Sequence, residues 1–325
     1  MLKLVVVSML LGLWTPVFSK NNLLTEEELS AKPIYSSLRK ALSEPQKVFR
    51  LKISHDQRLY TLPDVIFELT KLQELEIRDC PLQTLPPEIG ALKNLQSLTI
   101  EFTQLKTLPK QIGWLNNLRE LRLGYNKLQS LPPQIKELTE LRVINLENNA
   151  LTKIPKEFNS FAKLENLNLN KNKLEYLPDF FESVPELQIL EIMSNALEDL
   201  PAGITKLKKL RELVASDNQI TALPQNLGAL ENLEKLLLGD PLIGGNLISE
   251  LPESVTLLSK LDFLDLSYNQ IESLPPGLES LLRLKILCLT GNPLEPEKTA
   301  ELAALLPQTR IEFLKQKGAF RKRVK

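Results

Sequence analysis

The chain has 325 residues, more than one compact core ordinarily holds and a natural length for an elongated array. Its 40 Lys and Arg balance 40 Asp and Glu, which removes any bulk attraction to nucleic-acid phosphates. Gly is scarce at 12 residues and hydrophobic residues reach 43%, which excludes a collagen-like or disordered polymer.

The first residues predict export. Met1 and Lys3 make a short basic start, and Leu4 to Leu13 is an apolar run of signal-peptide length, too short to span a bilayer as a helix. Val17-Phe18-Ser19 places a tolerated residue at −3 and a small one at −1, so residues 1–19 are expected to be cleaved before Lys20. The other reading is an uncleaved N-terminal anchor. No Cys stands at the junction, which argues against a lipid-anchored product. No later segment is apolar enough to be transmembrane, so no integral span is expected once the signal is removed. The location this implies is secreted or extracytoplasmic, in a periplasm or on a cell surface.

Residues 20–47 read as an N-terminal helical cap. Thr25-Glu-Glu-Glu28 fits a capping box, in which a hydroxyl and a carboxylate satisfy the first free N–H groups of a helix, and Tyr35 to Leu42 extends the segment. Residues 48–294 are repetitive. An aliphatic residue followed by Pro begins at Leu62, Leu85, Leu108, Leu131, Ile154, Leu177, Leu200, Leu223, Leu251 and Leu274. Seven successive spacings are 23 residues, the next is 28 and the last is 23 again. Within a unit, Leu118, Leu121, Leu123, Asn126, Leu128, Leu131 and Pro132 recur as Leu164, Leu167, Leu169, Asn172, Leu174, Leu177 and Pro178, and again from Leu187 to Pro201.

This pattern resembles the leucine-rich repeat family over roughly Val48 to Leu294, about ten to eleven units. The 23-residue length, the Leu-Pro pair and a Pro-x-x-Ile-Gly-x-Leu stretch are similar to the bacterial and plant Ras-group-related class. Tyr35 to Pro45 likewise resembles the entry segment of bacterial members. The resemblance implies an α/β leucine-rich repeat solenoid: a curved right-handed coil with a parallel β-sheet on the concave face, short helices or turns on the convex face, and helical caps. Alternation within Leu121-Arg122-Leu123 turns the leucines inward and Arg122 outward. One unit cannot bury its leucines alone, so stacked neighbours bury them together.

Asn126, Asn149, Asn172, Asn195, Asn218, Asn269 and Asn292 fall where the chain turns away from each strand. An Asn side chain both donates and accepts, so a buried ladder can satisfy backbone groups of its own and adjacent units. Cys80 and Thr103 occupy the equivalent place in the early units, which makes Cys80 structural. Between Leu238 and Leu251 there are five extra residues; realignment from Leu251 puts Asn246 on the ladder and leaves 239–245 as a loop at the edge of the concave face. Residues 295–314 form a C-terminal cap, with a helix from Glu297 to Leu306 carrying Leu302, Leu305 and Leu306 on one side. Pro307 ends it and Ile311-Glu312-Phe313 gives a last strand. Residues 315–325 are a basic tail, read either as contact with an anionic surface or as a solvated terminus.

Catalytic and metal-binding patterns are missing. His55 is the only His and reads as a surface residue; Cys80 and Cys288 are many repeats apart, in no Cys-x-x-Cys, and unsuited to a disulfide; no Gly-x-Ser-x-Gly or phosphate-binding Gly loop occurs. The expectation is a protein with no enzyme activity, no cofactor and no metal. Recognition then falls to the outward strand positions. In the N-terminal half these are polar (Glu74, Glu76, Arg78, Thr99, Glu101, Arg122, Asn145, Glu147, Asn168, Asn170), with Phe102 and Tyr125 as exceptions. In the C-terminal half they turn apolar at Ile189, Met193, Val214, Leu237, Phe263, Tyr268, Ile286 and Cys288. A contiguous apolar patch marks an interaction site, whereas scattered apolar residues are normal on any surface. The set from Ile189 to Ile286, joined by Leu242 and Ile243 of the loop, is the expected partner-binding site. The loop also reads as a tolerated insertion.

Function is therefore expected to be protein binding by an exported module, with no nucleic acid partner. The alternative is an intracellular or membrane-anchored signalling scaffold of the Ras-group-related type. Carbohydrate or lipid binding calls for an aromatic platform or deep pocket, and the aromatics here are scattered along the sequence.

Overall fold

The computed structural model describes residues 23–313; the expected signal segment 1–19 and basic tail 315–325 lie outside them. Thirteen strands form one parallel, unclosed, curved sheet in chain order. They are β1 (Ile34–Tyr35), β2 (Arg50–Ser54), β3 (Glu74–Arg78), β4 (Ser97–Glu101), β5 (Glu120–Arg122), β6 (Val143–Asn145), β7 (Asn166–Asn168), β8 (Ile189–Glu191), β9 (Glu212–Val214), β10 (Lys235–Leu237), β11 (Phe263–Asp265), β12 (Ile286–Cys288) and β13 (Arg310–Glu312). Each strand pairs in register with the same position one unit away, as Leu121 does with Leu98 and Ile144. The returning segments are single 3₁₀ turns, such as Pro87–Ala91 and Ala202–Lys206, entered through a Pro whose extended backbone precedes the turn. The strand rows are packed closely side by side while the turns behind them are broader, so the sheet takes the concave side.

The alternation expected from sequence is realised. Leu121, Leu213 and Leu264 are buried, while Arg122 and Phe263 remain partly exposed. Each buried Leu contributes about 1.5–3 kcal/mol before ordering entropy. Phe158 and Phe161 replace the usual aliphatics in one turn and meet edge to face at 5.1 Å, both fully buried.

Asn side chains stitch consecutive units. Asn172 Nδ2 donates to Leu146 O at 3.0 Å in the preceding unit and to its own Leu169 O at 3.0 Å, while its Oδ1 accepts Leu151 N at 3.1 Å. Asn126, Asn149, Asn195 and Asn218 repeat this triad with Ile100, Leu123, Leu169 and Ile192. Asn269 and Asn292 continue it to Leu238 and Leu266. Asn246 joins from the far end of the insert, reaching Ala215 O at 2.9 Å and accepting Ile220 N at 3.1 Å. At the early positions, Cys80 Sγ donates to Arg78 O at 3.1 Å and Thr103 Oγ1 donates to Asn126 Oδ1. Apart from Asn246, the residue before each ladder position has positive φ, at 52–60° in nine non-Gly residues from His55 to Tyr268 and at 78° in Gly291. The ladder bonds hold these left-handed corners against their intrinsic cost.

At the N-terminal end, Thr25 Oγ1 accepts Glu28 N at 3.2 Å and Glu28 Oε2 accepts Thr25 N at 2.8 Å, opening α1 (Glu26–Ser30) with a capping box. Helix α2 (Leu38–Ser43) buries Ala41 against the first units. At the other end α3 (Pro296–Leu305) packs through Leu302, and Leu306 is buried just beyond it. Leu305 does not share that face: Leu306 leaves the helix with φ −120° and takes the inward place, so Leu305 stays exposed.

Candidate concave recognition face

Register turns the outward residues into columns. The middle column runs Glu76, Thr99, Arg122, Asn145, Asn168, Glu191, Val214, Leu237, Asp265, Cys288 and Glu312, one from each successive strand. Its first half is electrostatically closed. Arg50 Nε meets Glu74 Oε2 at 2.7 Å, Lys52 Nζ meets Glu76 Oε1 at 2.8 Å, and Arg78 reaches both Glu76 at 2.6 Å and Glu101 at 2.7 Å. Burial opposes ionisation of Glu76, but its bonds to Lys52 and Arg78 outweigh that and hold its carboxyl below the usual range. Glu101 is more deeply set, and burial pushes its carboxyl up despite Arg78 and Arg122.

In the second half Glu312 pairs with Arg310 at 2.8 Å, but no ion pair among the described residues includes Glu191 or Asp265. Glu191 is held up by burial and by the charges of Glu212 and Glu147, with the Asn170 and Asn168 amides as its donors. Asp265 is 4% exposed, and burial raises its carboxyl above the ordinary value; Ser267 N donates to Oδ1 at 2.8 Å. Between Asp265 and Glu312, burial and these two carboxylates push the Cys288 thiol up to about 12. Cys288 therefore stays protonated and is no nucleophile.

A pH test follows for Asp265. Its folded-state carboxyl lies above the unfolded value, so its ionisation costs stability at neutral pH, and that cost is relieved as pH falls through the raised value toward 3.8. Asn at this position keeps an acceptor for Ser267 N without the charge. Asp265→Asn is expected to melt higher than the parent at pH 7, with the gap closing by pH 3.5. Thermal melts at both pH values check it, and a pH-independent gap refutes the assignment.

The expected apolar set is only partly free to touch a partner. Ile189, Met193, Leu237, Phe263, Tyr268 and Ile286 are partly exposed, but Val214 and Cys288 are buried at 7% and 4%. Strands about 4.8 Å apart on a concave surface lean their side chains together, so Val214 is covered between Glu191 and Leu237, its neighbours in register. Nor is the set continuous. Phe263 and Ile286 are direct neighbours, while Ile189 is separated from Phe263 by Glu212 and Lys235, which pair at 3.0 Å.

The insert stands at the rim beyond β10. Asp240 Oδ1 accepts Leu242 N at 2.7 Å and Ile243 N at 2.9 Å, and this local turn leaves Leu242 95% exposed. Leu242, Ile243 and Leu247 border a cleft of about 340 Å³ completed by Tyr268, Gln270 and Gly291. Tyr268 lies against Gly291, where any Cβ would come within 2.7 Å of the ring. The structure thus brings Leu242, Ile243 and Tyr268 together, as a group distinct from Phe263 and Ile286.

Sequence reasoning passed over one cluster. Phe102 and Tyr125 stack with centroids 4.3 Å apart and planes 17° from parallel. Tyr125 Oη donates to Glu147 Oε1 at 2.9 Å, and Lys171 Nζ bonds the same carboxylate at 2.8 Å while standing 5.9 Å from the Tyr125 ring centre. Bonding to Glu147 raises both the Tyr125 hydroxyl and the Lys171 ammonium above their usual values. The signal was present, because the two aromatics are one 23-residue unit apart. His55 occupies the same edge column, exposed, with Nε2 3.6 Å from Asp79 Oδ2.

Among the described residues no group of His, Cys, Asp and Glu forms a metal-binding cluster, and no helix is long and apolar enough to cross a membrane. Residues 46–170 match the family model described as a leucine-rich repeat region, and residues 259–301 match a model of two leucine-rich repeats. A plant ice-binding protein is 30% identical over 73% of this chain and 77% of its own, with a TM-score of 0.58. An internalin of Listeria monocytogenes is 20% identical over 86% of this chain and 89% of its own, with a TM-score of 0.65. The plant peptide hormone receptor RGFR1, solved in complex with RGF2, is 24% identical over 87% of this chain, with a TM-score of 0.66; the chain spans half of that receptor's length.

Proposed function

The chain belongs to the leucine-rich repeat family, and from that premise we propose that it is an exported, non-catalytic protein-binding module of the 23-residue Leu-Pro class. Its partner is a protein taken up on the C-terminal half of the concave face. The observation that supports this reading is the group of partly exposed Leu237, Phe263 and Ile286, flanked at the rim by Leu242 and Ile243. Apolar side chains free of folding duty on a rigid sheet are the usual anchors of a protein interface. The fold shared with a hormone receptor solved with its peptide agrees with it. Ice binding, the activity of the plant relative, is not carried over: the outward columns here change residue type from strand to strand.

The test has two parts. N-terminal sequencing of the native protein is expected to begin near Lys20; a start at Met1 favours the anchored scaffold instead. Partners are recovered by cross-linking to the repeat region and identified by mass spectrometry. Replacing Leu237, Phe263 and Ile286 together with Ser is then expected to weaken capture at least about tenfold, the effect of losing one interface hot spot. Equal capture by a variant with parental circular dichroism and melting excludes this face.

A further inference from the structure

Glu191 and Asp265 differ from the other carboxylates of the concave face. Glu74, Glu76 and Glu101 on the same face each meet an Arg or Lys. No ion pair among the described residues includes Glu191 or Asp265, although both are substantially withdrawn from water. Each accepts hydrogen bonds, Asp265 from Ser267 N and Glu191 from the Asn168 and Asn170 amides, but hydrogen bonds from neutral donors leave the charge without a counter-ion, which a nearby cation would supply favourably.

The chain carries suitable cations nearby. Of the 40 Lys and Arg, six lie in 315–325 and two in 1–22, whereas none of the 40 Asp and Glu does; residues 23–313 therefore have a net charge of −8. The basic segment starts just after β13, whose Glu312 shares a column with Asp265, one strand removed by Cys288. Twelve extended residues reach about 40 Å. The five strand spacings from β13 back to β8 amount to about 24 Å.

We infer that residues 314–325 dock in cis on the C-terminal half of the concave face, bringing Lys and Arg side chains over Glu191, Asp265 and Glu312. The contact is electrostatic, so it weakens with salt, since screening acts over about 10 Å at 0.1 M. It also competes with any protein bound on that face. The inference does not depend on such a partner.

Carbodiimide cross-linking of the full chain, with peptide mapping, tests it. Lys of 315–325 is expected to join peptides containing Glu191, Glu212 or Glu312 at 20 mM NaCl, at least tenfold more than at 0.5 M. In an equal mixture of ¹⁵N-labelled and unlabelled chains the links should stay within one isotope. Glu191→Gln with Asp265→Asn should reduce links to Glu212 and Glu312 at least threefold; if that variant does not fold, the salt and isotope arms decide. Links that are absent, isotopically mixed, insensitive to salt, or as frequent to the convex Glu157 and Glu253 overturn the proposal. Mixed links identify a second copy as the occupant. Because no partner is added, failure here leaves the capture experiment unaffected.

Discussion

Asn172→Ala should lower the stability of the solenoid by about 3 kcal/mol, read from urea denaturation. The side chain donates to Leu146 O and Leu169 O, each at 3.0 Å, and to Asn170 O at 3.1 Å, and accepts Leu151 N at 3.1 Å. Ala leaves these backbone groups buried and unmet, each costing about 1–3 kcal/mol unless water enters. It also releases the corner at Lys171, whose φ is +54°. Asn172→Asp should be at least as damaging, because a carboxylate would then face those carbonyls. Asn145→Ala, one column over on the concave surface, loses mainly the bond to Glu147 N and is expected to cost under about 1 kcal/mol. Equal effects at 145 and 172 would remove the structural role assigned to the ladder.

Gly239→Ala should be comparably severe. Gly239 is packed against the next unit so closely that an added Cβ collides with the Ser267 carbonyl oxygen, with Ser267 N only 2.5 Å away. These are backbone atoms of the turn after β11, so no side-chain rotation relieves the clash. On the other side, Ser216 Oγ donates to Gly239 O at 2.8 Å, which fixes the peptide from the preceding unit. Separation of the two units should cost about 1–3 kcal/mol or more. Hydrogen exchange should show the loss concentrated around β10 and β11. Leu242→Ala, at a side chain almost wholly in solvent, is the control and should leave stability within about 0.5 kcal/mol. A Gly239→Ala chain as stable as the parent would mean that the insert is not clamped in this way.

Column by column, the fold is legible in the sequence to different degrees. The inward leucines and the ladder asparagines were readable because a 23-residue period repeats one local solution, and a residue such as Asn246 could be placed by counting back from Leu251. The concave face was readable as a list of outward residues but not as a surface. Val214 follows the outward alternation like Leu237, yet it is buried because Glu191 and Leu237 close over it from adjacent strands. Phe102 and Tyr125 are 23 residues apart in the sequence and 4.3 Å apart in space, a contact that appears only once units are stacked.

Local periodicity thus sets which side of each strand faces the core, because alternation and unit length are properties of neighbouring residues along the chain. It determines the solenoid, its ladder and the place of the insert. Which outward groups are paired, covered or left open is decided between units. Among the described residues Asp265 has no cation and Glu76 has two because of what stands on the strands alongside, and no pattern along one strand contains that information.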